Sequence, residues 1–61
     1  MYQINYYLQG VLIRSEKIND KKLNKLLKYY KYYEAFISKL EDRYLIKEDD
    51  WNTVEIFKIN H

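Results

Sequence analysis

Apolar and polar residues alternate near the N-terminus, a pattern typical of β-strands. Ile4, Tyr6 and Leu8 lie two positions apart, so they share one face of an extended chain. Gly10, the only glycine, accepts a positive φ without steric cost and predicts a two-residue turn with the residue before it. Residues 2–18 are therefore predicted to form a β-hairpin. Two apolar cross-strand pairs follow from that turn, Leu8 with Val11 and Tyr6 with Ile13.

The middle of the chain has the spacing of an amphipathic helix. Asn19 and Asp20 supply an N-cap. Over residues 21–42 apolar side chains recur three and four positions apart, with no Gly or Pro between them. The sequence predicts one long helix there. The residues on its apolar side are Leu23, Leu26, Leu27, Tyr30, Tyr33, Ile37 and Leu40, with Tyr44 continuing the series.

The C-terminal third is predicted to form a second hairpin. Residues 44–47 make a short strand, residues 48–52 a polar turn, and residues 53–59 a β-branched, alternating strand. Alternatively, the helix continues to Leu45 and only the last strand forms. The predicted fold class is α+β, with residues 1–61 as a single domain. In it a small antiparallel sheet packs on one long amphipathic helix, in the order ββαββ or, in the alternative, ββαβ.

Four tyrosines surround one lysine at residues 29–33. At about 100° per residue, Tyr30 falls in the centre of the apolar stripe and Tyr33 beside it, so both are predicted to be core residues. Tyr29 and Phe36 fall at the edge of the stripe. Tyr32 falls on the opposite side of the helix, which it shares with Lys21, Lys25, Lys28 and Lys39.

The chain is short, and its composition limits how it can be stabilised. A domain of 61 residues buries only about 60% of the surface that its unfolded chain exposes, so it is marginally stable alone. There is no cysteine for a disulfide or a thiolate zinc site, so a homodimer is the expected remedy. No apolar run approaches the roughly 18 residues of a membrane span, and the N-terminus has no signal-peptide pattern. The expected compartment is the cytoplasm.

Charge is distributed unevenly along the chain. Residues 1–31 carry a net charge of +5 and residues 32–61 a net charge of −3, within a total of +2. In the predicted helix, lysines crowd the N-terminal half, and Glu41 and Asp42 lie at its end, the reverse of what the helix dipole favours. Two interpretations are open. The lysines form a cationic patch kept for a partner, or they are solvated surface encoded by an AT-rich gene.

Catalytic chemistry is not expected. Nucleophilic catalysis needs an activated Ser, Cys or Thr beside a base, and the chain offers two serines, one threonine and a single histidine, His61, at its last position. The acidic residues 48–50 lack the spaced oxygen ligands of a calcium loop and are predicted to be a turn. No metal or cofactor is expected. Trp51, beside this turn, either folds back on the sheet into the core or remains exposed as an anchor for a partner.

Nucleic-acid binding is one candidate function. Lysines interleaved with aromatic side chains suit phosphate neutralisation combined with base stacking. Against it, the total charge is only +2 and the basic half contains one arginine, Arg14. No helix-turn-helix, zinc-finger or RNP motif is present. Such binding is expected to be salt-sensitive and largely independent of sequence.

Protein binding is the preferred hypothesis. Eight tyrosines and one tryptophan exceed what one small core accommodates, and both residue types concentrate at interfaces. In size, AT-rich composition and lack of catalytic groups, the chain looks like the small accessory proteins of phages and mobile elements. Many of those inhibit host proteins such as CRISPR effectors. We expect a non-catalytic, dimeric module that binds a host protein. Its predicted partner-binding residues are Lys21, Lys25, Lys28, Tyr29, Tyr32, Phe36, Lys39 and Trp51.

Overall fold

The structure is a computed structural model and describes residues 1–59. Within that range the chain forms β1 (Tyr2–Leu8), β2 (Val11–Ile18), α1 (Asp20–Tyr32), β3 (Phe36–Lys39), β4 (Arg43–Lys47) and β5 (Asn52–Lys58). These five strands make one antiparallel sheet in the order β2-β1-β5-β4-β3. The predicted α+β class is confirmed. The helix α1 is too short and too polar to cross a membrane.

The predicted N-terminal hairpin is present. Gln9 and Gly10 have φ angles of 50° and 81°, the two positive values that a type I′ turn requires. Leu8 pairs with Val11 as predicted. The second predicted pair, between Tyr6 and Ile13, is wrong. Tyr6 lies opposite Arg14, because the register shifts between Tyr6 and the next residue and leaves one extra residue on β2.

The helix begins where the sequence predicts and ends about ten residues early. Asn19 caps it, since its side-chain oxygen accepts a hydrogen bond from the Lys22 N–H at 2.8 Å. At the other end, the Ala35 N–H donates to the Tyr30 carbonyl at 2.9 Å and the Glu34 N–H to the Lys31 carbonyl at 3.1 Å. These are the two bonds of a Schellman motif. Glu34 has a φ of 57°, so it adopts the left-handed conformation that usually falls to glycine.

The second half of the predicted helix forms strands instead. Ile37 of β3 pairs with Ile46 of β4, and Ile46 is buried in the core while Ile37 packs against it. A helix over residues 21–42 would be about 33 Å long, whereas strands of seven or eight residues span about 25 Å. Its last turns would extend beyond the sheet with their apolar stripe in water. The elements predicted as ββαββ are present, with β3 as a further strand, and the continuation of the helix to Leu45 is wrong.

Seven buried side chains form the core among the described residues. Two come from α1 and five from four of the strands: Leu23 and Tyr30, with Ile4, Ile18, Ile46, Val54 and Ile56. On the central strand β5, Ile56 lies between Ile4 on β1 and Tyr44 on β4. The burial of Tyr30 confirms its prediction. Tyr33 is 64% exposed, so its assignment to the core is wrong, because it is the C-cap residue rather than part of a continuing helix.

Candidate interaction surfaces

A lysine-rich surface with exposed tyrosines lies on α1. The helix carries five lysines and one acidic residue, and all five lysines are exposed. Lysines four and three positions apart share one side of a helix, and Tyr32 continues that series. We define the helix face as Lys21, Lys25, Lys28, Tyr29, Tyr32 and Tyr33.

The tyrosines of the helix face pack against one another. The Tyr29 and Tyr33 ring centroids are 4.8 Å apart, and those of Tyr32 and Tyr33 are 5.0 Å apart in an edge-to-face arrangement. Tyr29 also meets the buried Tyr30 ring at 5.3 Å, which ties the row of rings to the core. The outer three rings are 54%, 64% and 78% exposed in the order Tyr29, Tyr33, Tyr32. Rings held in this way offer contact area at little further entropic cost.

The charge order of the helix differs from the prediction. Because α1 ends at Tyr32, Glu41 and Asp42 lie outside it, in the turn between β3 and β4. The first turn contains Asp20 and the last turn contains Lys31, which is the order the helix dipole favours. The predicted conflict with the dipole is therefore wrong at the C-terminal end of the helix, whereas Lys21 and Lys22 still place positive charge in its first turn. The excess of lysine over acidic residues on the helix remains.

The structure distributes the predicted partner-binding residues over three elements. Five lie exposed on α1: Lys21, Lys25, Lys28, Tyr29 and Tyr32. Phe36 and Lys39 lie on β3, so their predicted place on the helix is wrong. Phe36 is 70% exposed, and the Lys39 ammonium lies 5.4 Å from the centre of the Tyr44 ring. Trp51 lies in the loop between β4 and β5 and is 58% exposed, so its alternative placement in the core is wrong.

A second surface, which is apolar, lies at the tip of the first hairpin. The Gln9 N–H donates to the Trp51 carbonyl at 2.7 Å, which brings the loop before β5 to the β1–β2 turn. The Asp49 carboxylate holds that loop by accepting from the N–H groups of Trp51 and Asn52 at 2.8 and 2.7 Å. We define the hairpin tip as the exposed residues Leu8, Val11, Leu12, Ile13 and Trp51.

Of these surface residues, sequence reasoning missed Tyr33 and the part of the hairpin tip that lies on β1 and β2. A run of three apolar residues, Val11-Leu12-Ile13, breaks the alternation of a strand that has one buried face, and that break was the available signal. The signal for Tyr33 was weaker, because the sequence has no glycine at position 34 to mark the helix end.

The second face of the sheet carries a polar network centred on Glu55. Its carboxylate accepts hydrogen bonds from Arg43 Nη1 at 2.5 Å, and from Asn5 Nδ2 and the Tyr7 hydroxyl at 3.3 Å each. Ser15 on β2 donates to Asn5 Oδ1 at 2.5 Å. The Glu55 side chain is only 15% exposed. The bonds to Glu55 are charge-assisted. Together with the neutral bond from Ser15 to Asn5 they link side chains of strands β2, β1, β5 and β4.

The described residues form an open groove at one end of the sheet and show no candidate metal cluster. An open groove of about 320 Å³ lies at the end of β4 and β5, with Arg43, Phe57 and Lys58 among its lining residues. Asp42 also lines this groove, and its hydrogen bond from Arg43 lowers the pKa of the carboxyl. No group of three or more His, Cys, Asp or Glu side chains in residues 1–59 is arranged to hold a metal ion.

Burial alters the titration of Tyr30 on the inner side of α1. Removal of its hydroxyl from water raises the pKa above the ordinary value for tyrosine, and the nearby Glu48 carboxylate adds to that shift. The hydroxyl stays protonated at neutral pH.

The chain was compared with known proteins, and it matches no protein-family model, no curated protein and no solved structure.

Proposed function

We propose that this protein is a non-catalytic protein-binding module that acts in the cytoplasm by covering a surface of a host protein. The exposed tyrosines of the helix face are the observation that carries the proposal. Three rings pack together in water beside the exposed lysines of α1, while only seven side chains are buried among residues 1–59. Tyrosine is one of the residue types that are enriched at the hot spots of interfaces.

The position of α1 supports this use of the helix face. In our proposal the helix covers one face of the sheet through Leu23 and Tyr30, which belong to the core, and therefore turns its lysines and outer tyrosines away from the sheet. The rings would then dock as rigid anchors. The lysines would select an acidic rim on the partner and speed association.

The charge of the chain constrains the kind of inhibitor it could be. Proteins that mimic DNA are strongly acidic, whereas this chain has a net charge of +2. We therefore propose that it occludes an acidic or aromatic-accepting surface, as an accessory protein of a phage or mobile element would do to a nucleic-acid-handling defence enzyme such as a CRISPR effector. The small size and the composition of the chain support that biological role.

Charge reversal on α1 tests the proposal. The immobilised wild-type chain is incubated with nuclease-treated host lysate, retained proteins are identified, and binding is remeasured with the purified target. Lys25→Glu combined with Lys28→Glu should lower the affinity at least about 10-fold, since both lysines would then repel an acidic rim. Lys47→Glu combined with Lys58→Glu makes the same charge change on β4 and β5 and should retain the wild-type affinity. Equal loss in both variants, or no retained target, would contradict the proposal.

A second candidate function is binding of single-stranded nucleic acid through the same helix face. The observation in its favour is that aromatic rings and lysines stand side by side there, as in surfaces where bases stack and phosphates are neutralised. Fluorescence anisotropy with labelled single- and double-stranded DNA and RNA at two salt concentrations separates it from protein binding. Salt-sensitive binding that Lys25→Glu with Lys28→Glu abolishes would support this alternative. Unchanged affinity in that variant would eliminate it.

A further inference from the structure

The two edge strands of the sheet differ in length. An edge strand presents unpaired N–H and C=O groups, and native proteins commonly keep such strands short or charged. The edge strand β3 has four residues, Phe36–Lys39. The opposite edge strand, β2, has eight, Val11–Ile18. It is therefore the longer open edge, and residues 14–18 are its regular part, because the register with β1 shifts next to Arg14.

The exposed apolar residues of the first hairpin are concentrated on β2. Val11, Leu12 and Ile13 are 64%, 52% and 58% exposed. A long edge strand with three consecutive apolar residues in water is the feature that draws another strand to pair with it. A strand that pairs with β2 must also be complementary to the charged residues that follow the apolar run, Arg14, Glu16 and Lys17.

Those charges match a second copy of the same strand. We propose that two copies of this protein form a homodimer by antiparallel pairing of β2 with β2, about a two-fold axis at Ser15. In an antiparallel pair the position numbers of opposite residues have a constant sum, which is twice 15 when the axis passes through Ser15. Arg14 of each copy then lies opposite Glu16 of the other, and Ile13 lies opposite Lys17. The pairing buries open backbone of both edges and gives two ion pairs across the interface.

The neighbouring registers are disfavoured by the same charges. Opposite side chains lie on the same face of the sheet only when the sum of their position numbers is even, so the neighbouring registers have a sum that is larger or smaller by two. One neighbour places Arg14 opposite Arg14, and the other places Glu16 opposite Glu16, both repulsive. The register centred on Ser15 is the one that brings opposite charges together at both positions.

Both charged residues are accessible for this pairing. Arg14 and Glu16 lie on the same face of the sheet, opposite Tyr6 and Ile4 of β1. Within one copy they form an ion pair of 3.1 Å, with side chains that are 62% and 30% exposed. Since solvent-exposed pairs contribute little, exchange of the partner between copies has a small cost. The β2 edge and the helix face share no residue, so the dimer and the proposed function are tested by separate variants.

Sedimentation equilibrium with single and mixed variants tests the dimer. The wild-type chain should pass from monomer to dimer between roughly 1 µM and roughly 1 mM, where interfaces of modest size dissociate. Arg14→Glu puts Glu opposite Glu in the homodimer, and Glu16→Arg puts Arg opposite Arg. Each variant alone should dimerise about 10-fold or more weakly. Mixed in equal amounts, they should form a heterodimer of near wild-type affinity, because both cross-strand pairs become complementary again.

A matched control and a second readout complete the test. Lys47→Glu on β4 changes the charge as Arg14→Glu does, in both cases by two units, and should dimerise like the wild type. Amide hydrogen exchange of the folded wild-type chain should slow at alternate residues of β2 as concentration rises, since those N–H groups gain partners. A wild-type chain that stays monomeric throughout, or two variants that fail to restore each other on mixing, would overturn the proposal.

Discussion

At the scale of single residues, Glu34 shows how a helix can end without its usual signal. Its φ of 57° costs roughly 1 kcal/mol or more for a residue that carries a Cβ. The two Schellman bonds and the burial of Tyr30 beside half-buried Ala35 offset that cost. The end of α1 is thus specified by packing rather than by the residue at position 34.

Glu34→Gly should therefore stabilise the protein. Glycine adopts the left-handed conformation without strain, and we expect the free energy of unfolding to rise by about 0.5–1 kcal/mol. Urea denaturation followed by circular dichroism measures this change. As a control, Lys31→Gly places glycine in the last turn of the helix and should lower the free energy of unfolding by up to about 1 kcal/mol. A loss of stability in Glu34→Gly would show that α1 does not end as described.

Asp49 provides a prediction about pH. Hydrogen bonds from the Asn52 side chain, and from the N–H groups of Trp51 and Asn52, lower the pKa of the Asp49 carboxyl. Because its folded pKa is below the unfolded value of about 3.9, its contribution to stability is present above that pH and is lost as pH falls through the folded pKa.

Asp49→Asn keeps an oxygen acceptor and removes the titration. We expect the variant to be less stable than the wild type at neutral pH and to lose less stability between about pH 5 and pH 2. Thermal denaturation at a series of pH values measures both. Asp50→Asn, at the exposed neighbouring position, makes the same change of charge and serves as the control. If stability falls with pH in parallel for the wild type and Asp49→Asn, these hydrogen bonds do not lower the pKa of the Asp49 carboxyl.

At the scale of elements, the two faces of the sheet differ in burial around the central strand β5. Ile56 is fully buried between β1 and β4, whereas Leu45, on the second face of β4 beside Glu55, is 40% exposed. Ile56→Ala and Leu45→Ala remove the same number of carbon atoms. The difference between their effects therefore reports mainly burial, with a smaller part from the β-branching of isoleucine.

Ile56→Ala should lower the free energy of unfolding by about 2–5 kcal/mol, and Leu45→Ala by about 1 kcal/mol or less. Urea denaturation at matched protein concentration measures both. Since a domain of this size has little stability to lose, Ile56→Val, with an expected loss of about 0.5–1.5 kcal/mol, keeps the comparison measurable if the larger truncation unfolds the chain. Equal losses in the two alanine variants would contradict the arrangement of the sheet faces.

The elements also show what the sequence could predict. The first hairpin, the helix start at Asn19 and the last strand follow from local chemistry: a positive-φ turn, a capping side chain and β-branched alternation. Residues 36–39 do not, because Phe36, Ile37 and Leu40 fit the spacing of a helix as well as that of a strand. Their choice depends on Ile46, which is distant in sequence and pairs with Ile37 only in the folded sheet.

At the scale of the whole molecule, the described surfaces divide into separate regions with different chemistry. The helix face combines lysine with exposed tyrosine, the hairpin tip is apolar, and the second face of the sheet is polar around Glu55. The sequence identified the lysines, Tyr29 and Tyr32 of the helix face because their helical spacing is local. It grouped Phe36, Lys39 and Trp51 with them because it extended the helix too far or lacked the loop geometry.

Site-specific photo-crosslinking in host cells tests most directly whether the helix face binds a protein. A photoreactive phenylalanine analogue replaces Tyr32, 78% exposed on α1, and in a matched variant it replaces Thr53, exposed on β5. We expect position 32 to give a nuclease-resistant crosslink to one host protein and position 53 to give none, because only the first lies within the interface. Crosslinks from position 53 alone, or a nucleic-acid adduct at position 32, would contradict the proposed protein-binding function.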